Sequence, residues 1–195
     1  LPEAMAITDP AAKSISQLPD LSPYAAIGIG PGIGQAASTA SVLWQLIAQS
    51  PSPLVIDADA LNILAKAPEK ITAFPPNSIL TPHPGEFRRL TGKSLNSWES
   101  LQVLSDLSQR WQVTIVLKGA YTRIALPDGR LFFNTTGNPG MATGGSGDVL
   151  TGLLCGLLAQ GYTAEQAARI GVYLHGSAGD LAEQAVGSHA LIASD

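Results

Sequence analysis

Cysteine, charged residues and long apolar runs are all scarce in this sequence. The single cysteine, Cys155, excludes an internal disulfide and is typical of a protein from a reducing compartment. Charged residues make up 13% of the chain, the formal net charge is −4, and no basic run occurs. These values argue against nucleic acid or an acidic membrane surface as the main partner. Since no apolar run is long enough to span a bilayer and no signal peptide is recognisable, we expect a cytoplasmic protein.

The composition is that of a folded domain. Hydrophobic residues make up 45% of the 195 residues, which is enough for one domain with a sizeable core. The sequence has no internal repeat, no low-complexity segment and no obvious linker, so we expect one domain over residues 1–195. The chain begins at Leu1 rather than at a methionine and stops abruptly at Asp195, and we expect it to be a piece of a longer protein.

Short apolar segments alternate with segments of helical periodicity. Strands that are apolar on both faces and separated by helices predict an α/β fold, in which a mostly parallel sheet is covered by helices on both faces. A short antiparallel hairpin is predicted around the tight turn at 127–129. The predicted strands are 25–29, 54–56, 78–80 and 113–117, with 122–126 and 130–133 in the hairpin. The predicted helices are 35–49, 60–67, 84–91, one from the capping box at Asn96 to Trp111, 147–160, and 164–185 behind a capping box at Thr163.

Polar and glycine residues follow each of the first four predicted strands. They occupy residues 30–34, 57–59, 81–86 and 118–119. Because the carboxyl ends of parallel strands meet at one edge of a sheet, we expect these segments to lie close together. Open α/β sheets bind their ligands beyond that edge. The sequence therefore predicts a ligand site there.

The glycine-rich segment 144–147 is the most informative stretch of the chain. It runs directly into an apolar helical pattern, and one carboxylate, Asp148, stands at the junction. Glycines let backbone N–H groups turn toward a bound anion, and the helix N-terminus adds about half a positive charge. This combination suits phosphoryl transfer to a hydroxyl group, with Asp148 as the base. The alternative is an ordinary glycine loop followed by an acid that favours the helix dipole.

The glycines at 28–34 and the nearby carboxylates allow more than one interpretation. The glycine spacing does not fit the dinucleotide-binding fingerprint Gly-x-Gly-x-x-Gly, so we expect either a tight loop that admits a ligand or a plain turn. We expect Asp59 to cap the helix that starts at Ala60. Asp57 is expected to bind a ligand, or a water near a metal ion.

Other polar residues of the predicted edge also leave alternatives open. His83 lies between two prolines and either orients a substrate or is a surface-loop histidine. Lys118 either meets phosphate charge or is an exposed lysine at a strand end. Asn138 and Thr143 either donate hydrogen bonds into the site or stabilise turns. His175 is expected to be structural or solvated.

Five segments together resemble the NAD(P)H-hydrate dehydratase family. They are residues 30–32, 57–62, 80–86, 117–119 and 138–152. The similarity extends from about residue 2 to the end of the chain, and 81–86 and 138–148 are specific to this family. The resemblance implies a ribokinase-like fold and an enzyme that repairs NADH or NADPH to which water has added.

The resemblance also implies a reaction and its partners. A nucleotide, with ADP favoured over ATP and with Mg²⁺ present, phosphorylates the hydroxyl group of the hydrate. Elimination then gives NAD(P)H, AMP and phosphate. A homo-oligomer, often a tetramer, and a fused or separate NAD(P)H-hydrate epimerase are further implications. The strand-helix unit with which the family normally begins is absent here, so we expect an incomplete substrate pocket.

The resemblance assigns roles by position. Asp148 is implied to be the catalytic base and to contact the substrate, and no side chain is implied to be a metal ligand. The other implied substrate contacts are Gly30, Gly32, His83 and Asn138. The implied nucleotide contacts are Lys118, Gly119, Ala120, Tyr121, Thr122, Gly145, Ser146 and Gly147. The alternatives are a kinase of the same fold that phosphorylates a thiazole or pyrimidine alcohol, and a non-catalytic nucleotide-binding module.

Overall fold

The computed structural model describes residues 4–94 and 96–195, and the strands of this part form one mixed sheet. The strands lie side by side in sequence order; the first four are parallel and the last two are antiparallel. Both the predicted parallel sheet and the predicted hairpin are confirmed. The strands are β1 (Ile27–Ile29), β2 (Leu54–Ile56), β3 (Ile79–Leu80), β4 (Thr114–Leu117), β5 (Arg123–Ala125) and β6 (Leu131–Phe133).

Each predicted helix is also found, with bounds that differ from the prediction by at most two residues. The helices are α1 (Ala37–Gln49), α2 (Ala58–Ala65), α3 (Pro84–Thr91), α4 (Ser97–Trp111), α5 (Ser146–Ala159) and α6 (Ala164–Val186). The predicted capping boxes are present at Asn96 and at Thr163, where each side chain accepts from the backbone N–H of the third helical residue. Among the described residues, no helix combines the length and apolarity that crossing a bilayer would require.

Alternating strand residues divide the core into two layers. Ile56 and Ile115 pack on one face of the sheet, against side chains from α1 to α4. Val55 and Val116 point to the other face and pack against α5 and α6. All four side chains are at most 1% exposed. The period-2 alternation of a strand therefore buries both faces of the sheet, as the uninterrupted apolar strands predict.

A glycine at the end of β1 brings two loops of the predicted edge together. Gly30 has a φ of +140°, and a Cβ built on it would lie 1.8 Å from the carbonyl oxygen of Asp57. Any other residue would collide with the backbone there. Gly30 thus allows the chain leaving β1 to lie directly against the chain leaving β2.

Candidate active site

The loops after the four parallel strands meet at one edge, as predicted. The backbone N–H of Asp57 donates to the carbonyl of Ile29 (3.0 Å), and the N–H of Lys118 donates to the carbonyl of Pro82 (2.8 Å). These bonds join the end of β2 to that of β1, and the end of β4 to the segment after β3. Four sequence segments that are far apart in the chain therefore share one rim.

A buried ion pair lies at the centre of this rim. Lys118 Nζ lies 2.6 Å from Asp57 Oδ1, and Thr151 Oγ1 of α5 donates to Asp57 Oδ2 (3.0 Å). The Asp57 side chain is 2% exposed and that of Lys118 is 20% exposed. Lys118 is therefore not an exposed lysine at a strand end. Asp57 holds this lysine in place, and its contact with a ligand, or with a water near a metal ion, stays a prediction.

The glycine-rich segment places the N-terminus of α5 beside the ion pair. Gly145 is the N-cap residue with a φ of +91°, and because it has no side chain it cannot cap this helix end. The first turn of an α-helix leaves backbone N–H groups without intrahelical partners, and these face the space beyond the helix. A Cβ on Gly147 would lie 3.4 Å from Lys118 Nζ, so the first turn of α5 packs directly against the ammonium group of Lys118. Backbone dipoles therefore converge with the ammonium of Lys118, whose charge the carboxylate of Asp57 partly offsets.

Asp148 stands in the first turn of α5 and is exposed. Its carboxylate is therefore accessible to a ligand held at the helix N-terminus. The neighbouring N–H groups and Lys118 supply positive charge, while Asp148 supplies a potential proton acceptor. The glycine-rich segment thus leads into a helix with Asp148 in its first turn, as the sequence predicts, and the role of Asp148 as the base stays a prediction.

His175 of α6 also reaches this helix end. Its Nε2 lies 3.4 Å from Ser146 Oγ. Burial lowers the pKa of His175, a hydrogen bond to the backbone of Ser146 partly opposes this, and the charge of Lys118 lowers the pKa further. The imidazole therefore favours its neutral form, and Lys118 supplies the charge at the site. No local pattern marks His175 in the sequence, since its partner lies 29 residues away.

The lowered pKa of His175 predicts a pH dependence of folding. The unfolded chain takes up a proton at this residue near its ordinary pKa of 6.5, while the folded chain resists protonation until the pH is lower. Stability should therefore fall as the pH drops below about 6.5. His175→Gln should flatten this part of the profile, measured by urea unfolding at several pH values. The same substitution at the exposed His189 is the control, and an unchanged slope in His175→Gln would contradict this assignment.

The prediction that Asp59 caps the helix at Ala60 is wrong. The helix begins two residues earlier, at Ala58, so Asp59 lies inside its first turn. Its carboxylate accepts hydrogen bonds from the backbone N–H of Gly34 and from Gln35 Nε2, both at 3.0 Å. Asp59 thus holds the glycine loop that contains Gly32, which has a φ of +68° and open space around it. Substrate contacts of Gly30 and Gly32 remain predictions.

His83 is the N-cap residue of α3. Its Nδ1 accepts from the N–H of Gly85 (3.0 Å), and its own N–H donates to Glu86 Oε2 (2.8 Å). Its Nε2 lies 3.3 Å from the other oxygen of Glu86, and 49% of its side chain is exposed. The imidazole therefore stabilises the helix start and keeps an exposed face at the rim. Its contact with a substrate stays a prediction.

The predicted nucleotide loop follows Lys118 and returns the chain into β5. Thr122 Oγ1 donates to the carbonyl of Gly119 (3.0 Å), which closes the loop on itself. Gly119 and Tyr121 both have positive φ values, +139° and +56°, and Ala120 and Tyr121 are exposed. A positive φ is unusual for a bulky residue and is often found at functional loops. The loop is in reach of the rim, and its nucleotide contacts remain a prediction.

The segment before the glycine-rich stretch is fastened to α6. Asp180 Oδ2 accepts from the N–H of Gly137 (2.9 Å), and Asp180 Oδ1 accepts from Asn138 Nδ2 (3.1 Å). Two glycines of α6 let the segment approach closely. A Cβ on Gly176 would lie 2.2 Å from Thr136 Oγ1, and one on Gly179 would lie 2.3 Å from Met141 Sδ.

The sequence interpretation missed this part of α6. Gly179 and Asp180 lie three and four positions after Gly176, so both are on the helical face of Gly176. That spacing was the available signal. It could not identify the partner, because the bonded residues lie 42 and 43 positions away in the chain.

The carboxylates at the rim determine how a cation that arrives with a nucleotide would be held. Within residues 4–94 and 96–195, no three His, Cys, Asp or Glu side chains gather into a set that could hold a metal ion. Mg²⁺ at phosphoryl-transfer sites is commonly held by one or two carboxylates together with phosphate oxygens and water. Asp57 is paired with Lys118, so a cation that arrived with a nucleotide would be held here mainly by phosphate oxygens and water.

Comparisons with known proteins agree on one family. A family model described as NAD(P)H-hydrate dehydratase matches residues 1–194. The "Bifunctional NAD(P)H-hydrate repair enzyme Nnr" of Moorella thermoacetica is 44% identical over 171 residues, which are 87% of this chain and 32% of that protein. The chain thus spans about a third of the length of this curated relative.

Two solved structures show the fold. The ADP/ATP-dependent NAD(P)H-hydrate dehydratase of Bacillus subtilis, co-crystallised with ATP and Mg²⁺, is 38% identical with a TM-score of 0.77, over 91% of this chain and 64% of that one. A ribokinase-like superfamily protein of Enterococcus faecalis is 33% identical with a TM-score of 0.69, over 82% and 56% of the two chains. The fold of the chain is ribokinase-like.

Proposed function

We propose an activity for this chain from one premise: the chain belongs to the NAD(P)H-hydrate dehydratase family. The proposed activity is the nucleotide-dependent dehydration of hydrated NADH or NADPH, with ADP as the phosphoryl donor and AMP and phosphate as products. In this proposal, residues 1–195 form one ribokinase-like domain. The observation that carries it is the exposed Asp148 at an uncapped helix N-terminus that rests on Lys118.

The first proposed step is transfer of the terminal phosphoryl group. The carboxylate of Asp148 takes the proton of the hydrate's hydroxyl group as the hydroxyl oxygen attacks the terminal phosphorus. The bond between that phosphorus and the bridging oxygen breaks, and AMP leaves. The N–H groups at the start of α5 and the ammonium of Lys118 offset the charge that spreads over the transferring group. Mg²⁺, when bound with the nucleotide, would neutralise further phosphate charge.

The second proposed step is elimination. The carbon–oxygen bond of the phosphate ester breaks, and the neighbouring ring carbon loses a proton to the departing phosphate, which restores the double bond of the reduced nicotinamide. Phosphate is a far better leaving group than hydroxide, so the phosphoryl transfer is what makes loss of the oxygen feasible. Hydrate and ADP are converted into NAD(P)H, AMP and phosphate, and no oxidant or reductant is needed.

The remaining residues of the rim divide between the two ligands in this proposal. Gly30, Gly32, His83 and Asn138 contact the hydrated dinucleotide. Residues 118–122 contact the adenine nucleotide, and residues 145–147 hold the phosphoryl group being transferred. We also propose that the protein acts in the cytoplasm as a homo-oligomer and with an NAD(P)H-hydrate epimerase, fused or separate. The word bifunctional in the relative's name supports a second activity on one polypeptide.

The proposal is tested with the full-length protein, hydrated NADH and ADP. Recovery of NADH absorbance that requires ADP, with AMP and phosphate released in equal amounts, is the expected result. ATP in place of ADP measures the donor preference, and AMP serves as the inactive control. If NADH is not restored with either donor while a thiazole or pyrimidine alcohol is converted to a stable phosphate ester, the protein is a kinase of the same fold.

A further inference from the structure

Asp180 of α6 fixes the orientation of a residue that the proposed function places at the substrate. A carboxylate only accepts hydrogen bonds, so the Asn138 amide must present Nδ2 to Asp180 Oδ1. The other side of the same amide, Oδ1, accepts from the N–H of Gly140 (3.0 Å). With a donor required on one side and an acceptor on the other, the amide cannot turn over without losing both bonds.

The surrounding packing leaves this segment little freedom. Gly176 and Gly179 have no side chain, and residues 136 and 141 fill the space that a Cβ would occupy. Asp180 follows immediately and also accepts from the N–H of Gly137. The segment 136–141 is thus held at its two ends by close packing and in its middle by one carboxylate, and it leads directly into the glycine-rich stretch.

We propose that Asp180 is a positioning residue, which sets the affinity for the hydrated dinucleotide by holding residues 137–140 in their binding shape. The proposal rests on the proposed function, because it takes that ligand as the substrate. Asp180 itself acts through the loop and touches neither the substrate nor the reacting atoms. Its loss should therefore weaken binding of the dinucleotide, while the nucleotide site at Lys118 and the base Asp148 stay intact.

Exchanging the residues at positions 138 and 180 provides the test. Asp180→Asn sets an amide against the amide of Asn138, so one of the two hydrogen bonds is lost. Asn138→Asp sets two carboxylates about 3 Å apart, which is repulsive. In the double variant Asp180→Asn/Asn138→Asp, Nδ2 at 180 donates to the carboxylate at 138, while Oδ1 at 180 still accepts from Gly137. All three hydrogen bonds and the total charge are restored.

Steady-state kinetics of the full-length variants decide the proposal. Asp180→Asn should raise KM for the hydrate about 10-fold, in line with the loss of one hydrogen bond to a charged group, while kcat and KM for ADP change less than about 3-fold. The double variant should have a lower KM for the hydrate than Asn138→Asp alone, because Asp180→Asn then restores the hydrogen bonds while residue 138 is the same in both. The charge-matched control is Glu183→Gln one turn along α6, whose carboxylate makes no hydrogen bond within the described residues and which should change neither constant.

The possible outcomes distinguish the positioning role of Asp180 from the proposed function on which it rests. An active wild type with an unchanged KM in Asp180→Asn would overturn the positioning role and leave the proposed function standing. So would a double variant whose KM for the hydrate equals that of Asn138→Asp although its melting temperature is the higher of the two. A wild type that restores no NADH at all would contradict the proposed function. If Asp180→Asn fails to fold, the double variant and Asn138→Asp supply the comparison, and equal KM values for the hydrate in these two would overturn the proposal.

Discussion

Asp148→Asn should lower the rate of ADP-dependent NADH recovery by about 100-fold or more, while the affinity for ADP changes less than about 3-fold. The amide has the size of the carboxylate but cannot accept the proton of the hydrate's hydroxyl group, and the loss of a general base typically has an effect of this size. The helix N–H groups and Lys118, which attract the phosphates, remain in place. The rate is followed by NADH absorbance, and ADP affinity by calorimetry.

The control for Asp148→Asn is Asp106→Asn, which removes an exposed carboxylate from α4. It should leave both the rate and ADP affinity unchanged. Retention of the full rate in Asp148→Asn would remove Asp148 from the mechanism. Loss of ADP binding would give Asp148 a role at the nucleotide instead. If the melting temperature falls together with the activity, Asp148 acts by stabilising the helix.

Local patterns in the sequence predict most of the fold. The capping boxes at Asn96 and Thr163 fix the starts of α4 and α6, because the bonds that define a capping box join residues only three positions apart. The central strands β2, β3 and β4 are predictable because both of their faces are buried, so that short apolar runs stand out between helices. The common rim follows from the parallel order of the strands. Asp148 is predicted because glycines and a helix start adjoin it directly.

Side-chain partners far apart in the chain are not predictable in this way. Asp57 and Lys118 lie 61 positions apart, and nothing in either local sequence specifies the other. The role of Asp59 is misjudged for a related reason. Because α2 begins two residues earlier than expected, Asp59 lies in its first turn rather than at the cap position. Its side chain then accepts a hydrogen bond from a loop residue 25 positions away. Such pairings depend on how the sheet brings loops together.

Lys118→Met should be among the most destabilising single substitutions at the rim, lowering the free energy of unfolding by about 3–5 kcal/mol. Methionine replaces the unbranched apolar stem but not the ammonium, and it leaves the carboxylate of Asp57 buried, with Thr151 as its remaining hydrogen-bond donor among the described side chains. An unpaired buried charge is costly because the interior cannot replace its hydration. Urea unfolding measures the effect, and Lys93→Met, at an exposed lysine, should change stability by less than about 0.5 kcal/mol.

The two members of the pair should not be equivalent. The side chain of Lys118 is 20% exposed, so its ammonium can turn toward water when its partner is neutral, whereas the side chain of Asp57 is 2% exposed and its carboxylate cannot. Asp57→Asn should therefore cost less than Lys118→Met, since asparagine can still accept from Thr151. The double variant Asp57→Asn/Lys118→Met removes both charges and should recover more than half of the stability lost in Lys118→Met. If the two single effects simply add, the ion pair does not stabilise the rim and the cation beneath α5 must be held by other contacts.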